Sequence, residues 1–233
     1  MILEMRQVTA SYGSSQILFD ISLEVDKAET VCILGRNGVG KTTTLKTIDG
    51  LLRPRSGSIT FDGKSIGGLP PYKVSRLGVA YVPQGRHIFS SLSTKENLLI
   101  AARKGQNPDT QWNIEKIYQL FPVLKQRETS RGRSLSGGEQ QMLTVARGLM
   151  QNPKLLLLDE ICEGLAPFIV KELETIVQEL KKSGVSILLA EQNIKFALSV
   201  SSRCYLLEKG QVVYSGDSSN IPEETIRKYL ATQ

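Results

Sequence analysis

Apolar and polar residues alternate at Ile21, Leu23 and Val25, the period of a strand with one buried face. Thr30-Val31-Cys32-Ile33-Leu34 is instead a continuous apolar run that stops at Gly35, which predicts a strand buried on both faces. Ile59-Thr60-Phe61 followed by Asp62-Gly63 predicts a strand entering a hairpin turn, and Val79 to Val82, closed by Pro83, a further strand. The pattern then changes to helical spacing. Thr94 to Ala102 reads as a helix, and Ile114, Ile117, Tyr118 and Phe121 mark another that Pro122 ends. Residues from about 85 to 135 contain no convincing strand and read as a helical insert. Beyond it, strand and helix alternate. Leu155 to Leu158 is a four-leucine strand, and Ile169, Leu173, Ile176, Val177 and Leu180 line one face of a helix stopped at Ser183-Gly184. Val185 to Ala190 is the next strand, Cys204–Leu207 and Gln211–Tyr214 form a hairpin, and Pro222-Glu223-Glu224 opens a last helix. Such alternation predicts an α/β domain with a mostly parallel sheet.

The 233 residues carry 40% hydrophobic and 22% charged side chains, enough for one packed domain. A net charge of +6 suits an anionic ligand or an anionic membrane face. The cations are scattered rather than massed, so nucleic acid is not read as a partner. Cys32, Cys162 and Cys204 match no zinc or redox spacing, and Cys32 and Cys204 lie in apolar runs as buried thiols would. No signal peptide is visible, and no apolar run approaches the roughly 18 residues of a spanning helix. The expectation is a cytoplasmic protein, and any membrane role requires another chain to supply the spans.

Gly35-Arg36-Asn37-Gly38-Val39-Gly40-Lys41-Thr42 fits the phosphate-binding pattern G-x-x-x-x-G-K-[ST], between a buried strand and a helical stretch. Glycines allow successive N–H groups to wrap phosphate oxygens, and the helix that follows adds its positive end. In such a loop Lys41 reaches the β- and γ-phosphates and Thr42 a magnesium ion. Downstream, Leu155–Leu158 carries Asp159 and Glu160 to the carboxyl edge of the sheet. Asp159 is the candidate magnesium carboxylate and Glu160 the candidate base for an attacking water. Leu135-Ser136-Gly137-Gly138-Glu139 reads as a capping box opening a helix, with Met142, Val145, Ala146 and Leu149 as its apolar stripe.

These motifs together resemble the ABC-type ATPases along essentially the whole chain, and in particular the second ATP-binding subunit of branched-chain amino acid importers. The resemblance implies a P-loop fold, with an N-terminal antiparallel β subdomain and an inserted α-helical subdomain at about 85–135 of a single 1–233 domain. It implies ATP and Mg²⁺ as ligands. The nucleotide-binding set it carries over is Tyr12, Gly35, Arg36, Asn37, Gly38, Val39, Gly40, Lys41, Thr42, Thr43 and Gln84. Thr42, Gln84 and Asp159 are implied as metal contacts, Glu160 and Gln192 as catalytic. Ser136, Gly137, Gly138 and Glu139 match the family signature, which touches the ATP of a second, head-to-tail subunit. Permease subunits and, through them, a substrate-binding protein are the implied partners, at the inner face of the cell membrane.

Three departures stand out. The only histidine is His87, so Gln192 falls where most relatives carry a switch histidine, as is typical of the branched-chain amino acid subfamily; it cannot carry a proton charge near neutral pH. Ile161 replaces a proline after the catalytic glutamate, and Ala166 an aspartate of the interface loop. Ala28 stands where a glycine is common, without expected consequence. Segments such as Pro83-Gln84-Gly85-Arg86, Phe121-Pro122-Val123-Leu124, Glu163 to Pro167 and Glu191-Gln192-Asn193 carry the subfamily likeness. Urea and short-amide importers use similar subunits. A soluble ABC ATPase and a non-hydrolysing regulatory module are the alternatives of another class; intact Lys41, Asp159 and Glu160 speak against the last.

Overall fold

The computed structural model describes residues 1–104 and 111–229. In chain order the strands are β1 (Leu3–Tyr12), β2 (Ser15–Val25), β3 (Thr30–Leu34), β4 (Ser56–Phe61), β5 (Lys64–Ser65), β6 (Val79–Val82), β7 (Leu155–Asp159), β8 (Ser186–Glu191), β9 (Arg203–Glu208) and β10 (Gln211–Asp217). The helices are α1 (Lys41–Asp49), α2 (Pro71–Leu77), α3 (Thr94–Ala101), α4 (Ile114–Leu120), α5 (Pro122–Gln126), α6 (Gly137–Leu149), α7 (Pro167–Lys182), α8 (Ile194–Val200) and α9 (Glu223–Tyr229).

Two sheets form. One has the order β2-β1-β4-β5 and is antiparallel throughout. The other has the order β10-β9-β3-β8-β7-β6, parallel except for its edge hairpin. The leucine-rich strands of this larger sheet are buried on both sides, and the pleat divides them between two cores. Leu156 and Leu158 of β7, with Ile187 and Leu189 of β8, pack against α6, α7 and the helical segment. Leu155, Leu157, Leu188 and Ala190 turn the other way, onto α1 and the antiparallel sheet. The continuous apolar runs thus reflect a sheet sandwiched between layers.

The sequence reading missed β1, α2 and α8. β1 is a paired strand with register shifts after Met5, Val8 and Ala10, which disrupt its alternation. Pro122 does not merely follow α4: it occupies the first turn of a separate helix, α5, where a missing N–H leaves no bond unmade. The expected insert holds α3, α4 and α5 and, among the described residues, no strand; its residues 105–110 lie outside those described. Buried Asn97 fastens α3 to the segment leading into it. Its side chain accepts the Phe89 N–H at 2.8 Å and donates to the carbonyls of Phe89 at 2.9 Å and Ser93 at 3.0 Å. No helix among the described residues is long and apolar enough to cross a membrane.

Candidate functional site

The site forms where β3 and β7 end, at the carboxyl edge of the parallel sheet. The chain leaves β3 at Gly35 and turns through Gly38 (φ 80°) and Gly40 (φ 112°) into α1. Gly35 is required by proximity as well: a Cβ there would lie 2.6 Å from the Leu207 carbonyl oxygen. No side chain caps α1, so the leading N–H groups of the helix remain available to an anion.

Lys41 is 3% exposed, folded back into this loop. Its Nζ donates to the carbonyls of Gly35 at 2.8 Å and Arg36 at 3.0 Å, and pairs with Glu160 Oε1 at 3.0 Å. Glu160 is held for that contact by a left-handed backbone (φ 46°), a conformation rare for residues other than glycine. Its N–H is fixed to the Ala190 carbonyl at 2.8 Å, and its second oxygen accepts from Gln84 Nε2 at 3.1 Å. Gln84 also donates to Glu163 at 2.8 Å, so its amide N–H₂ joins two carboxylates.

Asp159 is fully buried. Thr42 donates to one of its oxygens at 3.0 Å and Tyr81 to the other at 2.8 Å. Burial raises its pKa, opposed by those two hydrogen bonds. Burial, then the Asp159 charge, also lifts the Tyr81 phenol well above its ordinary value. Thr42 and Asp159 present hard oxygen donors side by side, the chemistry of a magnesium site. No cluster of three or more His, Cys, Asp or Glu suited to a metal occurs among the described residues.

The remaining expected residues sit around this centre. Tyr12 ends β1 with 47% of its surface exposed. Arg36, Asn37 and Gly38 are exposed, Val39 is half-buried and Thr43 buried. Gln192 is exposed, and its backbone N–H donates to Glu191 at 3.2 Å. The capping box forms as read: Ser136 accepts the Glu139 N–H at 3.3 Å, and Glu139 the Ser136 N–H at 2.7 Å. Gly137 lies against the Arg86 guanidinium and Gly138 against Ile169. No hydrogen bond or ion pair joins Ser136 or Glu139 to Lys41, Asp159 or Glu160. Ile161 is buried in the core, so the position of the absent proline is filled by packing.

Sequence reasoning missed Tyr81, Glu163 and Glu191. Tyr81 lies in the strand read from Val79 to Val82, where the sequence assigns no role to its hydroxyl. Glu191 is 2% exposed and binds two loops together, accepting the N–H of Cys162 at 3.0 Å and of Gln192 at 3.2 Å. A charged residue closing an apolar strand, next to an expected site residue, was the available signal.

The ABC transporter family profile matches residues 18–163, from β2 through the segment that carries Glu160 and Glu163. The chain belongs to the ABC transporter family. It is 43% identical over 212 residues to the high-affinity branched-chain amino acid transport ATP-binding protein BraG of Pseudomonas aeruginosa, covering 91% of each chain. It is 35% identical over 218 residues to a probable branched-chain amino acid transport ATP-binding protein, LivF, of Archaeoglobus fulgidus, covering 93% of this chain and 92% of that one. Similarity is also high to the lipopolysaccharide export ATP-binding protein LptB of Haemophilus influenzae, 34% identical over 237 residues, covering 100% of this chain and 98% of that one. Among solved structures, a nucleotide-free ATP-binding cassette from an ABC transporter superposes with a TM-score of 0.83 at 27% identity, covering 98% and 94% of the two chains. CbiO1 of Clostridium perfringens gives 0.83 at 26% identity, covering 97% and 93%. As an ABC cassette, the chain is the ATP-hydrolysing subunit of a transporter.

Proposed function

We propose that this subunit hydrolyses MgATP to drive uptake of branched-chain, hydrophobic amino acids. The observation that carries the cargo is the 43% identity, over nine-tenths of both chains, to a subunit named for that transport. The lipopolysaccharide-export relative, matched along the whole chain at 34%, supports a second reading, export of a lipid.

The site residues support the following chemistry. Lys41 already lies among loop carbonyls beside Glu160. An incoming triphosphate competes for that ammonium, and losing the ion pair releases Glu160 to orient and deprotonate water. Asp159, Thr42 and Gln84 would hold Mg²⁺, which neutralises phosphate charge when bound. Gln84 bridges Glu160 and Glu163, so its movement toward a ligand alters the surroundings of the base. Tyr12 offers an exposed ring for adenine stacking. Ser136 and the amino end of α6 form a second anion site for the γ-phosphate held by another subunit, whose removal by hydrolysis opens the pair. Gln192 contributes hydrogen bonds, not a proton, to the γ-phosphate or water. Leu51 and Tyr72 are exposed apolar residues at a cavity that Gln84 also lines, and Phe89, Leu99 and Ile100 are exposed as well; permease subunits at the inner membrane face would cover such side chains.

The test is reconstitution in proteoliposomes with the membrane subunits and binding protein encoded nearby. ATP-driven accumulation of labelled leucine, isoleucine or valine is expected. Intact ATPase activity with no amino acid uptake would reject the cargo.

A further inference from the structure

The amino ends of β6, β7 and β8 lie side by side, at the edge of the parallel sheet opposite Lys41 and Asp159. Gly78, Lys154 and Ser186, at those ends, line a cavity of about 790 Å³. None of the site residues described above lines it, and its volume is that of a small-molecule pocket.

Cations scattered along the sequence converge here. Lys27, Arg76, Arg103, Lys104 and Lys154 line the cavity, and Asp62 is the only carboxylate among the described lining residues. Asp62 is shared, 2.8 Å from the Lys154 ammonium and 3.6 Å from that of Lys27. Five cations less one carboxylate leave an excess of four positive charges in a concave wall, which concentrates the potential for an anion.

Hydrogen bonds across the fold fix the walls. Asn152 follows α6 with a left-handed backbone (φ 56°). Its side-chain amide donates to the carbonyls of Arg103 at 2.7 Å and Trp112 at 3.1 Å, and accepts the Trp112 N–H at 2.6 Å. One side chain thus brings together Arg103, just past α3, and Trp112, just before α4. Arg103 reaches on to α2, where it donates to the Ser75 hydroxyl at 2.7 Å. Trp112 is half-buried, packed against the core and lining the cavity.

Each feature restricts the ligand. The guanidinium groups of Arg76 and Arg103 offer paired N–H donors that match phosphate oxygens. An indole supplies a flat apolar face on which a base stacks. A phosphate and a planar ring in one molecule make a nucleotide.

We propose that this cavity is a separate nucleotide site, taking a mononucleotide with its phosphate at Arg76, Arg103 and Lys154 and its base against Trp112. Asp62 is tied to two ammonium groups, so the bound nucleotide is an effector and not a substrate. The walls come from the helical insert, α2 and the sheet, and a ligand touching all of them favours the arrangement in which they face one another.

Trp112 is the single tryptophan of the chain, so its emission reports on this cavity. The experiment titrates the full chain with AMP, GMP, CMP and ribose 5-phosphate, without magnesium, and follows that emission. At least one nucleotide should quench it with a Kd below about 1 mM and bind about tenfold tighter than ribose 5-phosphate, the ratio one stacked base supplies. Lys41→Ala, which disables the phosphate loop, should leave the quench unchanged. Arg103→Glu should weaken binding about tenfold or more while keeping the ATPase rate within about twofold. Arg103→Gln should weaken it in the same direction, and keeps the test available should the charge reversal unfold the chain. No quench up to about 10 mM overturns the inference. So does a quench lost in Lys41→Ala, or one kept unchanged in the folded Arg103 variants. Ribose 5-phosphate binding as tightly as every nucleotide would show an anion site without base recognition and overturn it as well.

Discussion

Replacing Glu191 with glutamine tests the electrostatics of the loop behind Glu160. Glu191 ends β8, and its two oxygens accept backbone N–H groups from Cys162 at 3.0 Å, Gln192 at 3.2 Å and Asn193 at 3.4 Å. Burial outweighs these bonds and raises its pKa from 4.5 to about 7. The native state therefore holds the proton more tightly than the unfolded chain. The stabilisation is present in full below about pH 4.5 and is lost as pH rises to about 7. At about 1.4 kcal/mol per pH unit, that interval corresponds to about 3 kcal/mol. Glutamine stays neutral throughout. Its N–H₂ cannot accept from Gln192 and Asn193, a pH-independent loss of about 1 kcal/mol for each bond. The stability of Glu191→Gln relative to wild type should therefore climb by about 3 kcal/mol between pH 4.5 and 7. For a chain of this size that is about 6–12 °C in melting temperature. Differential scanning calorimetry of both proteins across this range provides the measurement. A difference in melting temperature that does not change with pH would refute the assignment of a buried, late-titrating carboxyl to Glu191.

Glu160→Gln should retain ATP binding, lower kcat on the order of 10²–10⁴-fold and accumulate an ATP-dependent dimer on a sizing column; a monomer under saturating ATP counts against the head-to-tail pair. Tyr12→Ala should weaken nucleotide binding by about 1 kcal/mol, roughly fivefold, in isothermal titration, and an unchanged Kd removes Tyr12 from the site. Tyr81→Phe takes a donor from buried Asp159 and should lower unfolding stability by about 1–2 kcal/mol; identical denaturation midpoints would show that this hydrogen bond contributes nothing.

The chemistry-bearing positions were legible in the sequence because they are local. Glycine spacing before Lys41, a leucine run ending in Asp159-Glu160, and Ser136 three residues before Glu139 each encode a backbone shape within a few residues. The strands that carry them were legible too, since burial on both faces leaves an uninterrupted apolar run. What required the fold were relations across the chain. Tyr81 reads in the sequence only as part of a strand; placing β6 beside β7 brings its hydroxyl to Asp159, 78 residues away. The pairing of Lys41 with Glu160, the bridge from Gln84 to Glu163 and the buried state of Glu191 depend on which strand ends are neighbours in the β3-β8-β7-β6 order. The basic cavity had no signal at all, because Lys27, Arg76, Arg103 and Lys154 are far apart in the chain and meet only at the amino ends of β6, β7 and β8. Periodicity and turn chemistry act over a few residues and are written in local order, whereas charge pairing and desolvation depend on distance in space, which only the packed sheets establish.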